Sequence, residues 1–129
     1  MYGRLILSLR VERIEWMASP PLVPEFAIDE AHLERMTLGD VALEREVLRM
    51  FSAQAASVVA LLASWPADAA ALAHTLKGSA RAIGAFAVAD AAGDLEDALR
   101  QGADAAELLA VLEAAVDLAR GAIADRLER

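Results

Sequence analysis

The chain contains no cysteine, so disulfide bridges and thiolate metal sites are excluded. Aromatic residues make up only 5 % of its 129 residues, and alanine supplies much of the hydrophobic fraction of 57 %. No apolar run reaches the ~18 residues that a membrane-spanning helix needs. Small apolar side chains favour closely packed helices, and the length fits a single domain.

Basic residues are also scarce, because 12 Lys and Arg face 20 Asp and Glu, and the net charge is −8. A binder of nucleic acid or of an anionic membrane needs a basic face, so we expect neither as a partner. The N-terminal stretch MYGRLILSLRVERIEWM has a short apolar patch followed by charges at Arg10, Glu12 and Arg13. These charges disfavour a signal peptide, and we expect a cytoplasmic protein.

Pro20, Pro21 and Pro24 interrupt any regular structure before residue 25. The sequence therefore predicts a flexible leader over residues 1–25 and a folded unit over residues 26–129. The leader is either a tail or an extension upstream of a natural start at Met17.

Capping and stop residues divide the folded unit into helices. Asp29 caps a short helix that runs to about Met36, and Asp40 caps a long helix to about Ser64. Pro66 suits the first position of a third helix, which Gly84 ends. Two more helices are predicted, at about 85–100 and from Asp104 onward. Their short links predict an all-α fold, an antiparallel up-down four-helix bundle with a short extra N-terminal helix.

The third helix has two different sides, since each residue turns an α-helix by about 100°. Four apolar residues share one side and predict a stripe that faces the core: Leu72, Leu76, Ala80 and Ile83. The opposite side carries four residues of another kind: His74, Lys77, Gly78 and Arg81. The rotation therefore predicts that His74 faces solvent.

The residues around His74 suit the transfer of a phosphoryl group. A neutral imidazole has a nitrogen lone pair and can act as a nucleophile. Lys77 at i+3 and Arg81 at i+7 are neighbours on the helix face that can stabilise an anion. Gly78 at i+4 has no side chain and leaves room for a second macromolecule. This combination favours a phosphoryl group that arrives from, and leaves to, another protein.

The stretch His74-Thr-Leu-Lys77-Gly78-Ser79-Ala-x-x-Ile-Gly84 resembles the signature of histidine-containing phosphotransfer (HPt) domains. Asp94-Leu95-Glu96 resembles the Leu-Glu pair in the next helix of that family, and the resemblance covers about residues 28–127. It implies a helical bundle whose His74 is phosphorylated on a ring nitrogen by a receiver-domain aspartate or a sensor kinase. It also implies that Lys77 supports the phosphate and that Gly78 admits the receiver.

The resemblance implies response-regulator receivers and sensor histidine kinases as partners, and we expect the carrier to be a monomer. The chain has no glycine-rich nucleotide loop, so we expect a phosphocarrier without its own ATP site and without a cofactor. Any Mg²⁺ is expected on the receiver. An apolar patch on the helix over 40–64 is the expected docking surface, but the sequence leaves open which of its residues face outward.

Three other interpretations remain. In the first, the chain is an interaction module, such as a kinase inhibitor or scaffold, that does not transfer phosphate. In the second, it is an enzyme that uses His74 as a general base in a pocket with a second catalytic group. The third, a histidine-kinase dimerisation domain, is disfavoured because Thr75, Leu76 and Lys77 follow the histidine.

Glu96 and Asp97 are expected to be acids on a helix surface.

Overall fold

A computed structural model describes residues 27–129, and within this range all regular structure is helical. The helices are α1 (Glu30–Met36), α2 (Val41–Leu62), α3 (Ala69–Ile83), α4 (Phe86–Arg100) and α5 (Ala106–Leu127). The four longer helices form a closed bundle, in which α2 packs on α3 and α5, and α4 packs on the same two helices. The predicted all-α four-helix bundle with an extra N-terminal helix is confirmed. The predicted leader over residues 1–25 lies outside the described residues.

The helix ends follow from capping chemistry. The carboxylates of Asp29 and Asp40 accept hydrogen bonds from the backbone N–H groups of His32 and Leu43, both at 3.0 Å. These bonds satisfy N–H groups that have no partner within α1 and α2. Both predicted N-caps are therefore confirmed.

Gly84 ends α3 in the left-handed conformation, with φ at +87°. A Cβ at this position would lie 2.9 Å from the backbone oxygen of Asp29, so only glycine fits. The N–H of Asp29 also donates to the carbonyl of Gly84 at 2.9 Å, which fastens the start of α1 to the α3–α4 turn. The predicted stop at Gly84 is confirmed, and the turn has a second function in holding α1.

One predicted boundary is wrong. Pro66 does not begin α3, because its carbonyl accepts the N–H of Ala69 in a turn at 3.0 Å and the helix begins at Ala69. The preceding residue Trp65 has a positive φ of +51° and leaves the helical conformation. The α2–α3 link is therefore longer than the sequence predicts.

The core lies between the four long helices and consists of leucine, alanine and a few β-branched residues. The largest of its fully buried side chains on these helices are Leu48, Leu62, Leu76, Leu95, Leu112 and Ile123. Many of the buried residues of α3 and α4, which pack on each other, are alanines: Ala73, Ala80, Ala89 and Ala92. Small side chains let two helix backbones approach closely, and this closeness determines the site described next.

Candidate functional site

His74 lies in the first half of α3, on the side away from the buried stripe. Its side chain is 62 % exposed, whereas Leu76 and Ala80 are completely buried. Of the four residues predicted to form the apolar stripe, Leu72 is only partly buried and packs against the edge of the core. The imidazole is thus presented at the surface by a helix whose other side is fixed in the bundle.

Glu96 of α4 lies directly beneath the imidazole. Its Oε2 lies 3.0 Å from Nδ1 of His74, and its Oε1 lies 2.9 Å from Nζ of Lys77. Arg100, one turn further along α4, donates from Nε to Oε2 at 3.0 Å. A single carboxylate therefore joins the histidine to two cations.

The expectation that Glu96 is a surface acid is wrong, since its side chain is only 8 % exposed. The close packing of α3 on α4 turns the Glu96 face of α4 onto α3, and a charge in that place needs partners. Lys77, Arg100 and His74 supply them. Asp97, the next residue, is exposed as expected.

The same contacts keep the carboxyl ionised. The hydrogen bond from Lys77 is the largest cause that lowers the pKa of Glu96, to about 2. Partial desolvation opposes this shift, and the bonds from Arg100 and His74 add to it. The carboxylate of Glu96 is therefore ionised at neutral pH and only accepts hydrogen bonds. Its position assigns the proton of a neutral His74 to Nδ1 and the free lone pair to Nε2.

The prediction that Lys77 faces solvent is wrong for most of its side chain. Its side chain is only 20 % exposed, and it crosses to α4 to reach Glu96. On the helix rotation Lys77 lies about 100° from the centre of the apolar stripe, at the border of the exposed side. A long aliphatic stem at such a border can lie along the neighbouring helix while its ammonium group remains partly hydrated.

Gly78 and Arg81 lie on the exposed side of α3 together with His74. A Cβ added at Gly78 would have no atom within 4 Å, so this glycine faces open space. The structure thus brings His74 and Lys77 together through Glu96, while Gly78 and Arg81 lie beside them on the open surface.

A groove lies between α2 and α3 and includes Ser79, the residue after Gly78. Its lining is largely apolar and consists of Val47, Met50, Phe51, Gln54, Ser79, Ala82 and Ile83. Met50 is 63 % exposed at the groove, whereas Phe51 is 3 % exposed and belongs to the core. Of these two neighbouring residues of α2, Met50 therefore faces outward and Phe51 faces the core.

Sequence reasoning missed two residues of the site. Arg100 follows Glu96 by four residues, a spacing at which opposite charges pair on a helix and which could have identified it. Gly93 lies against the stem of Lys77, because a Cβ there would lie 3.2 Å from Lys77 Cδ. No sequence signal identifies Gly93, since this proximity depends on how α3 lies on α4.

Over residues 27–129, no three or more His, Asp or Glu side chains converge in a way that could hold a metal ion. None of the helices in this range combines the length and the hydropathy that crossing a membrane requires. The expected absence of a cofactor, with Mg²⁺ on a partner, stays a prediction.

Comparison with known proteins leads to one family. A search of curated proteins found no match, and a search of solved structures found none either. The family model described as Hpt domain matches residues 46–122, which are more than half of the chain. The match spans α3 and α4 and includes His74, Lys77, Gly78 and Glu96. The chain belongs to the Hpt domain family.

Proposed function

We propose that this protein carries a phosphoryl group between partner proteins on Nε2 of His74. Members of the Hpt domain family have a histidine phosphotransfer role in phosphorelays and are phosphocarriers without their own catalytic ATP site. The observation that carries the proposal for this chain is the contact of 3.0 Å between Glu96 Oε2 and His74 Nδ1. It leaves Nε2 as the nucleophile on an exposed ring.

The transfer step balances without a further reactant. The Nε2 lone pair attacks the phosphorus of an aspartyl phosphate on a receiver domain, and a P–N bond forms. The acyl phosphate P–O bond breaks, and its electron pair returns to the receiver's aspartate. The proton on Nδ1 remains there, so the phosphorylated ring carries a positive charge that the Glu96 carboxylate stabilises. The reverse reaction passes the group to another receiver.

Lys77 supplies positive charge next to the reacting nitrogen. One of its three ammonium donors points to Glu96, and two remain for phosphate oxygens. Arg100 binds Glu96 through Nε, which leaves its two terminal amino groups as further donors. Arg81 lies on the exposed face of α3 and adds to the local field. These cations offset the charge of a phosphoryl group on a protein whose net charge is −8.

A receiver domain would dock over Gly78 and the α2–α3 groove. The open space at Gly78 lets a partner's backbone approach the imidazole, and the apolar lining with exposed Met50 supplies surface to bury. α2 and α3 run in opposite directions, so Leu61, at 52 % exposure, extends this surface toward the level of His74. We also propose a monomeric carrier, since His74, Lys77, Glu96 and Arg100 all belong to one chain.

Labelling at a single histidine tests the proposal. The protein is incubated with receiver domains phosphorylated on aspartate, and with sensor kinases and ATP, and the label is analysed for acid lability and base stability. We expect label on the wild type and none on His74→Gln. The chain has a second histidine, His32 on α1, and His32→Gln is the matched control that should keep the label. No label on the wild type across a broad panel of donors would contradict the proposal.

The contact between Glu96 and His74 also bears on the general-base alternative, since a carboxylate orients the catalytic histidine in hydrolases. A general base also needs a pocket that holds substrate and excludes water. The imidazole is 62 % exposed, which disfavours that alternative.

The variant His74→Gln distinguishes a phosphocarrier from an interaction module that does not transfer phosphate. If signalling and partner binding are unchanged in this variant, the protein acts by binding alone.

A further inference from the structure

We infer that Gly93 is a positioning residue for phosphotransfer, because it provides the passage through which Lys77 reaches Glu96. This inference rests on the proposed function and concerns the same site. Gly93 lies in the middle of α4, three residues before Glu96 and therefore on the same face of the helix. A Cβ at Gly93 would lie 3.2 Å from Cδ of Lys77, closer than an ordinary van der Waals contact.

The backbone of α4 does not require a glycine here. Positive φ values occur at Gly39, Gly84 and Gly102, and Gly93 is not among these glycines. In a helix interior glycine is less favourable than alanine, so the residue weakens α4 unless the missing side chain has a use. The passage of Lys77 is such a use.

Lys77 has little freedom to avoid a larger residue at position 93. Its side chain is 20 % exposed, and its ammonium group is fixed 2.9 Å from Oε1 of Glu96. The buried residues of α3 and α4 include many alanines, among them Ala80 and Ala92, and such small side chains let the two packed helices lie close together. A side chain on residue 93 would therefore push the stem of Lys77 outward and draw its ammonium group away from the carboxylate.

Lys77 is the only lysine of the chain, which allows a test independent of phosphotransfer. Reductive methylation with formaldehyde, followed by mass spectrometry, labels Lys77 and the α-amino group, and the α-amino group serves as internal reference. We expect Lys77 of Gly93→Val to react several-fold faster than that of the wild type. Glu96→Gln should also accelerate labelling and is the positive control. Labelling of Gly93→Val at the wild-type rate would overturn the inference, whether or not the protein transfers phosphate.

A double-mutant cycle tests the functional half of the inference. A displaced catalytic group can slow a reaction strongly, and we expect Gly93→Val to slow transfer from a phosphorylated receiver to His74 by about tenfold. In a Lys77→Ala background the same substitution should change the rate by less than about twofold, since the group it displaces is absent. A tenfold loss in both backgrounds would show that Gly93 acts independently of Lys77 and would overturn the inference.

Gly121→Val is the matched control, because Gly121 lies in the middle of α5 and a Cβ there meets no atom within 4 Å. It introduces the same residue into a helix interior and should leave transfer and labelling unchanged. If Gly93→Val does not fold, Gly93→Ala replaces it, with smaller changes in the same directions. In that variant, wild-type rates in both assays would overturn the inference.

Discussion

Oε2 of Glu96 on α4 lies 3.0 Å from Nδ1 of His74 on α3, and the exposures of the two side chains are 8 % and 62 %. An almost buried charge thus orients an exposed ring. The carboxylate bonds to Nδ1 on the bundle side of the ring and leaves Nε2 free of this contact. Lys77 and Arg100 keep this carboxylate ionised, so the two helices and the two cations form one unit.

We expect Glu96→Gln to slow phosphotransfer to His74 by about tenfold, as does the loss of other side chains that orient a reactive ligand. The amide oxygen can still accept the Nδ1 proton, but it has no negative charge to stabilise the phosphorylated ring. Single-turnover transfer from a phosphorylated receiver measures the effect.

Asp97→Asn is the control for Glu96→Gln. It removes the same charge from the next residue of α4, which is exposed. It should transfer at the wild-type rate. If Glu96→Gln also transfers at that rate, the carboxylate has no part in the reaction.

The lowered pKa of Glu96 predicts a loss of stability in acid. The hydrogen bond from Lys77 is the main reason that this pKa falls from 4.5 to about 2. A carboxyl whose pKa is lower in the folded state contributes stability that is complete above the unfolded pKa and is lost as the pH falls toward the folded value. The urea midpoint of the wild type should therefore fall more between about pH 5 and about pH 3 than that of Glu96→Gln.

The control for the acid measurement is again Asp97→Asn, whose urea midpoint should decline with pH as the wild type's does. Parallel declines of the wild type and Glu96→Gln would show that Glu96 is not the group responsible.

Helix ends and helix faces could be predicted from the sequence because their causes are local. Asp29 and Asp40 cap their own helices, and Gly84 ends α3 through its own backbone conformation. The exposed side of α3 follows from helical rotation, which needs no knowledge of other helices. The predicted start of α3 at Pro66 is wrong, because the turn before the helix contains Trp65 with a positive φ, and the sequence does not indicate this conformation.

The relation of α3 to α4 could not be predicted in the same way. The rotation of one helix does not say which face of its neighbour it meets. The sequence therefore predicts Glu96 on the surface and Lys77 in solvent, whereas the structure joins the two side chains in an ion pair across the helices at 2.9 Å. Two sequence signals bear on this part of the site: the resemblance of Leu95-Glu96 to the family pattern, and the spacing of four residues between Glu96 and Arg100.

Gly84→Ala should destabilise the protein by more than the left-handed conformation alone requires. That conformation costs about 1–2 kcal/mol for a residue with a Cβ. At Gly84 the Cβ would also lie 2.9 Å from the backbone oxygen of Asp29, so α1 must shift. The free energy of unfolding in urea measures the loss.

Gly39→Ala separates the two contributions to the loss at Gly84. Gly39 has a φ of +74°, and a Cβ there meets no atom within 4 Å. This variant should lose only the conformational part. Equal losses at Gly39 and Gly84 would contradict the contact with Asp29 as a source of stability.

Gly78 should be required for transfer between proteins but not for folding. Gly78→Ala should raise the free energy of unfolding by up to about 1 kcal/mol, since glycine is unfavourable in a helix and the added methyl group meets open space. Gly78→Gln should remain folded and slow transfer from a phosphorylated receiver, because its side chain occupies the approach to His74. Phosphoramidate, a small phosphoryl donor, should still phosphorylate His74 of this variant at close to the wild-type rate, since it needs no clearance.

Gly121→Gln on α5 is the matched control for Gly78→Gln and should behave as the wild type with both donors. Transfer from the receiver to Gly78→Gln at the wild-type rate would show that clearance is not the reason for this glycine, and an equal loss with both donors would point to the chemistry at His74 instead.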